Sequence, residues 1–289
     1  MTLLSPVPLL PNASVLASRD LLVALPLGLA GLVLLRLGLL RGPGRALPSL
    51  ARPAWRRLLE GAAAALALLF TAVLPPFAAG AFVPGASGFA PFAPTPPAAS
   101  AAASASTLAF FAAQSLVEEM LFRAALMTIA AALVLGAARL FLGPLPDRSD
   151  PAGLPRFGRR WLAAGLAANG VQAVAFAALH AGNPHVTPLA LLNIGLAGAV
   201  LGWLFWSGGG IAGAWAFHAV WNWGLSAFGL PVSGMALGTP LVATGFVGAG
   251  RPLLSGGAFG PEGSLVSTLV LSALLGVLVA RSARRLPNG

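Results

Sequence analysis

The chain has 289 residues, of which 57% are hydrophobic and 8% charged, and its mean hydropathy is +0.87. A soluble domain carries about 25% charged residues, so the composition excludes one and points to a polytopic helical membrane protein. The net charge of +10 comes from arginine, with no lysine, placed at the ends of apolar runs rather than on a soluble basic face; nucleic acid is excluded as a partner.

Cysteine is absent, which removes disulfides, thiolate metal sites and cysteine nucleophiles. The lack of Lys, Tyr and Cys beside abundant Ala, Gly, Pro and Arg also fits a GC-rich genome.

Met1 to Ser18 is Pro-rich and irregular, and Leu21 to Leu40 is the first apolar span. That span lacks the basic n-region and small-residue cleavage site of a secretory signal, so it reads as a retained helix. Arg41, Arg45, Arg52, Arg56 and Arg57 form a basic loop before a second span, about Leu58 to Ala81, which Pro75-Pro76 kinks or ends. Phe82 to Ala105, uncharged and rich in Pro, Ala, Gly and Ser, reads as a long loop, in part re-entrant.

Thr107 to Leu142 is too long for one perpendicular crossing, so it tilts or projects beyond the bilayer. Gly143 to Arg160 is a polar loop holding Asp147, Arg148, Asp150, Arg156, Arg159 and Arg160. Trp161 to His180 is the fourth span, closed by the turn signal Gly182-Asn183-Pro184. The fifth runs from about Thr187 to Trp206, and the sixth from Ile211 to Leu230 after Ser207-Gly208-Gly209-Gly210. A Gly/Pro-rich loop follows to Gly263, and the seventh span, Ser264 to Ala280, ends in Arg281, Arg284 and Arg285.

The fold class predicted is all-α: a polytopic transmembrane helical bundle of about seven spans, with no internal repeat. Residues 1–289 read as a single membrane-embedded domain whose motif core is about 107–230. With the amino terminus outside, every basic cluster and the carboxyl terminus lie in the cytoplasm, as the positive-inside rule asks. The Phe82–Ala105 loop and the loop holding Arg251 and Glu262 then lie outside.

Polar residues inside the spans carry the functional expectation. Ser115 to Arg123 places Glu118, Glu119 and Arg123 in an otherwise apolar run. Each such charge costs at least ~2.5–3.5 kcal/mol at a helix centre unless it is paired or wetted. Glu119 and Arg123, four apart, share a face and can form an ion pair. Glu118 points about 100° away and is left for chemistry. Read structurally, the same residues make a buried ion pair and a snorkelling acid.

His180, ending Phe176-Ala-Ala-Leu-His180, is by itself an interfacial polar group. His218 and Asn222, four apart, share a face, where they serve chemistry or join helices by hydrogen bonds. His185, beside Asn183-Pro184, reads as solvated. The third and fourth spans are antiparallel neighbours, which brings Glu118 and His180 to one side, with His218 and Asn222 near the middle and outer half of the sixth. A carboxylate, two imidazoles and an amide converging in a wet cavity suit hydrolysis: one group takes a proton from water and the others hold an oxyanion. No Ser/His/Asp set or HExxH motif competes.

Glu118-Glu119-x-x-x-Arg123, Phe176-x-x-x-His180 and His218-x-x-x-Asn222, in this order on successive apolar helices, resemble the CPBP family. These are the CAAX-protease and bacteriocin-processing (Abi/Rce1-like) membrane proteins, and the match covers about Ser115 to Asn222. The resemblance implies a glutamic-type intramembrane endopeptidase. By it, Glu118 activates water with help from His180, His218 and Asn222 stabilise the oxyanion, and Glu119, Arg123 and Phe176 support the site. No cofactor or metal is expected, although two histidines and two glutamates could bind zinc in principle.

The implied partners are the lipid bilayer and a membrane-anchored protein or peptide substrate, in a bacterial inner (cytoplasmic) membrane. A site opening outward points to a carboxyl-terminal sorting helix or a leader peptide, and one specialisation is a sorting protease of the myxosortase kind. Two other functions are weighed: a non-proteolytic immunity or regulatory scaffold of the same family, and a transporter with Glu118 as proton relay. The lack of a repeat disfavours the transporter.

Overall fold

The computed structural model describes residues 53–83, 97–145, 153–208, 210–235, 245–246 and 251–285. The expected first span, Leu21–Leu40, lies outside the described residues, as do Arg41, Arg45 and Arg52 of the first basic loop and Asp147, Arg148 and Asp150 of the second. The described chain is helical: α1 (Ala54–Ala78), α2 (Pro97–Glu119), a π-helical stretch Met120–Met127, α3 (Thr128–Leu142), α4 (Leu154–Leu179), α5 (Pro188–Gly208), α6 (Ile211–Ala227) and α7 (Leu265–Arg284). Short helical turns at Pro252–Ser255, Gly257–Phe259 and Pro261–Gly263 precede α7. Two antiparallel two-residue strands, β1 (Phe82–Val83) and β2 (Gly245–Phe246), tie the end of α1 to the loop after α6.

Five helices among the described residues are long and apolar enough to cross a membrane: Ala54–Ala78, Ala101–Leu142, Pro155–Leu179, Pro188–Gly208 and Leu265–Arg284. They correspond to the second, third, fourth, fifth and seventh expected spans. The expected sixth is α6, whose 17 residues make ~25 Å, short of the ~30 Å hydrocarbon core. Large apolar side chains left exposed on the long helices, among them Leu133, Phe141, Val174 and Leu269, form the face that lipid covers.

Two expected loops are shorter than their composition suggests. Residues 97–105 belong to α2, because Pro97 occupies the helix start, where its missing N–H costs nothing, and the alanines after it lose little entropy. Ala101–Leu142 alone has 42 residues, ~63 Å of rise, so this helix tilts or projects as its length requires. Likewise α4 begins at Leu154 rather than Trp161 and takes in Arg156, Arg159 and Arg160. Arg160 donates to the carbonyls of Leu142, Gly143 and Pro144, satisfying groups that the end of α3 leaves open. Arg57 does the same for α5 by donating to the Gly208 carbonyl at 2.9 Å. Pro75 and Pro76 lie inside α1, which ends just beyond them at Ala78.

The centre of the bundle is α6, buried along most of its length and packed against α1, α2 and α5. Small residues let it approach: a Cβ on Gly61 would overlap the Gly213 carbonyl oxygen, so α1 and α6 touch backbone to backbone. The α4–α5 contact is similar. Gly198 sits against Ala173 and Phe176, and Gly202 against the amides of Asn169 and Gln172. Those amides donate to the carbonyls of Ala199 (2.9 Å) and Gly198 (2.8 Å), interhelical bonds that lipid cannot replace.

Glu262, expected in an outer loop, is buried at 7% exposure. Its carboxylate accepts from Trp221 Nε1 at 3.0 Å, from Ser233 Oγ at 3.1 Å and from the Ser233 backbone N–H. Asn193 donates to the backbone carbonyls of Glu262 and Ser264 at 2.7 Å each, which fastens the turns before α7 onto α5. The loop is thus packed onto the helices, and the charge that composition assigns to solvent is an internal pin.

Candidate active site

Glu118 and Glu119 are the last two residues of α2, immediately before the helix widens into its π-helical turn. Such π segments occur often at functional sites because they re-aim side chains along an otherwise regular helix. Here both carboxylates reach the same partner on α6. His218 Nδ1 lies 2.9 Å from Glu119 Oε1, and its Nε2 lies 3.7 Å from Glu118 Oε2. The first distance is a hydrogen bond and the second exceeds one.

Glu119 is fully buried, whereas the Glu118 side chain is 23% exposed, so only Glu118 meets the exterior of the bundle. The expected Glu119–Arg123 ion pair is present at 3.1 Å, with both side chains buried. Arg123 also donates to the Gly198 carbonyl at 3.4 Å, and its guanidinium lies 4.5 Å above the Phe176 ring. Phe176 in turn packs edge-on to Phe122 (5.0 Å) and to His218 (6.0 Å), with His180 at 4.7 Å. One aromatic ring therefore contacts Arg123, His180 and His218, which gives Phe176 a physical reason to accompany them.

His180 stands at the carboxyl end of α4 and is half-buried, and its Nδ1 is 2.7 Å from the Phe176 carbonyl. A carbonyl only accepts, so Nδ1 carries the proton and Nε2 of the neutral ring carries the lone pair. Among the described residues Nε2 has no hydrogen-bond partner. The same reasoning places a proton on Nδ1 of His218, facing the Glu119 carboxylate. No hydrogen bond joins His180 to Glu118 among the described residues; Phe176 is what connects His180 to the cluster. His185 lies outside the cluster, exposed, with a positive φ of 57°.

Asn222 is buried, one turn beyond His218 on α6. Its Nδ2 donates to Gln114 Oε1 at 3.3 Å, and Gln114 Nε2 donates to Glu118 Oε1. Gln114 is a member of the cluster that a search for charges passes over. Its signal was a spacing of four from Glu118 in an apolar span, the same spacing that relates Glu119 to Arg123.

Glu118, Glu119, Arg123, Phe176, His180, His218 and Asn222 thus form one group, drawn from α2, the π turn, α4 and α6. Chemically it offers a partly exposed carboxylate, an imidazole with a lone pair, a second imidazole between two carboxylates, and an amide donor. No group of three or more His, Asp or Glu side chains with metal-holding geometry occurs among the described residues. Glu119 Oε1 is already shared by Arg123 and His218.

Residues 100–224 match the family model described as Type II CAAX prenyl endopeptidase Rce1-like, which belongs to the CPBP proteins that the three motifs resemble. The matched segment contains every residue of the cluster. It implies endopeptidase activity of the CAAX-processing type, acting in a membrane. Neither a curated protein nor a solved structure matches the chain.

Proposed function

We propose that the chain is a glutamic-type intramembrane endopeptidase that hydrolyses a peptide bond in a membrane-anchored protein or peptide. The observation carrying this reading is Glu118 Oε2. It is buried, it faces His218 Nε2 at 3.7 Å, and it has no protein hydrogen-bond donor among the described residues. Buried carboxylate oxygens take hydrogen bonds, and the donor proposed for this one is a water molecule within bonding reach of both groups.

In this mechanism Glu118 takes a proton from that water as its oxygen attacks the scissile carbonyl carbon. The carbonyl oxygen becomes the oxyanion and accepts from Asn222 and from His218, whose Nε2 donates when the ring carries its second proton. The proton held by Glu118 then passes to the leaving amine as the C–N bond breaks. His180 assists through Nε2, held in its tautomer by the Phe176 carbonyl. Glu119 and Arg123 orient His218 and keep the buried charges paired. Comparative membrane proteomics of cells with wild-type chain, Glu118→Gln or no chain tests the reading.

The mechanism is metal-free, because Glu119, the natural fourth member of a two-His, two-Glu zinc set, is committed to Arg123 and His218. Metal analysis of the purified chain is expected to find no stoichiometric zinc. Zinc retained by wild type and released by His218→Ala would replace this version with a metalloprotease.

The proposed setting is a bacterial inner membrane, with the amino terminus outside and the carboxyl terminus cytoplasmic. The arginines support this: Arg56, Arg57, Arg156, Arg159, Arg160, Arg281 and Arg284 all fall on one side in that arrangement. The substrate bond would then lie in the outer half of the bilayer, in a carboxyl-terminal sorting helix or a leader peptide. Single cysteines placed at Ser87 and Ser149 of this cysteine-free chain check it. An impermeant thiol reagent is expected to label Ser87→Cys and spare Ser149→Cys in intact cells, and the converse would turn the protein over.

A further inference from the structure

We propose that Gln114 is a positioning residue of this site, whose side-chain amide bridges the water-activating carboxylate of Glu118 to the oxyanion-binding amide of Asn222. The inference rests on the hydrolase reading above and extends it to a residue outside the three motifs. Gln114 lies on α2 four residues before Glu118, so the two share a helix face, and α6 brings Asn222 to the same point from across the interface.

The chemistry of the two contacts is mutually consistent. An amide nitrogen only donates and an amide oxygen only accepts. Gln114 Nε2 therefore suits the Glu118 carboxylate, and Gln114 Oε1 suits Asn222 Nδ2; flipping the amide would break both bonds. The bridge divides the work of each partner. Glu118 Oε1 is occupied, which leaves Oε2, the oxygen that faces His218, for water. Asn222 spends one of its two N–H groups on Gln114 and keeps the other for an oxyanion. One side chain thereby sets the distance between the base and the oxyanion donor, which belong to different helices.

The test separates this bridge from a mere tie between α2 and α6. Gln114→Met preserves size and loses both bonds; Gln114→Glu still accepts from Asn222 but presents a carboxylate to Glu118, near Glu119, Arg123 and His218. The substrate is the precursor that accumulates in cells carrying Glu118→Gln, supplied to purified full-length chain in liposomes. Both variants are expected to lower kcat about 10- to 100-fold with KM within about 2-fold of wild type, the cost of misplacing a reacting group by about 1 Å. A second readout needs no turnover: the carboxylate stretch of Glu118 in chain labelled with 13C-glutamate, isolated as the infrared difference between wild type and Glu118→Gln. Gln114→Met is expected to move that band.

Thermal unfolding confirms that each variant is folded. An unmoved band, or a Gln114→Glu enzyme of wild-type activity, would reduce Gln114 to a helix tie and overturn the proposal. If Glu118→Gln cells process every precursor, the hydrolase reading itself falls, and Gln114 with it. An active Gln114→Met beside an inactive Glu118→Gln refutes the bridge alone.

Discussion

Glu118→Gln is expected to lower cleavage by roughly 10²–10⁴-fold, the usual worth of a general base, with the protein inserted at wild-type abundance. The substitution is nearly isosteric, and its carbonyl oxygen can still accept from Gln114 as Oε1 now does. Its new amide group can donate towards His218 Nε2, so no buried partner is stranded. What disappears is the capacity to take a proton from water. Membrane proteomes of cells carrying wild type, Glu118→Gln or no chain show the consequence directly. The variant and the deletion are expected to accumulate the same uncut membrane-anchored precursors, which then name the substrates. A variant that behaves as wild type, while the deletion has a phenotype, would make the carboxylate non-catalytic and leave the helices as a scaffold.

That experiment can be designed because the proposed reacting groups are the part of the candidate site most visible in the chain. Glu119 and Arg123 are four apart on one continuous helix, and periodicity alone pairs them, as the 3.1 Å contact shows. His218 and Asn222 are equally legible as one face of α6. What links these local faces is not periodic. The 2.9 Å bond between Glu119 and His218 joins residues 99 apart, and spacing holds no trace of it. Glu262 reads as a loop charge for the same reason: its donors, Trp221 and Ser233, come from 41 and 29 residues away. Gln114 is harder to read than the charges because a neutral amide in an apolar span costs less than a charge. The start of α2 is hidden by composition, since Pro, Ala and Ser suggest a loop although Pro at the first turn and Ala within it favour a helix. The start of α4 hides behind arginines whose role, capping α3 through Arg160, is tertiary.

The largest stability effect is expected at the ion pair beneath the proposed catalytic groups. Glu119 and Arg123 are both fully buried. Removing either partner leaves the other charge in a dry environment, at a cost of about 3–5 kcal/mol, whereas removing both at similar volume is close to neutral. Arg123→Met keeps the packing against Phe176 but strands Glu119; Glu119→Gln keeps an oxygen for His218 Nδ1 but strands the guanidinium. Each single variant should therefore unfold far more readily than wild type in detergent micelles, followed by tryptophan fluorescence. The double variant should recover most of the loss, so the coupling between the sites should exceed the cost of either single change, about 3–5 kcal/mol. Losses that simply add would mean that the two charges do not sense each other, and the pair would lose its place as the support of His218. Recovery of stability need not restore cleavage in full. The Glu119 carboxylate holds the His218 N–H by a charge-assisted bond, roughly twice as strong as the one an amide oxygen provides, and the orientation of that ring is what the proposed oxyanion site depends on. A double variant that is as stable as wild type yet slow would therefore separate the two tasks of Glu119, neutralising Arg123 and aiming His218.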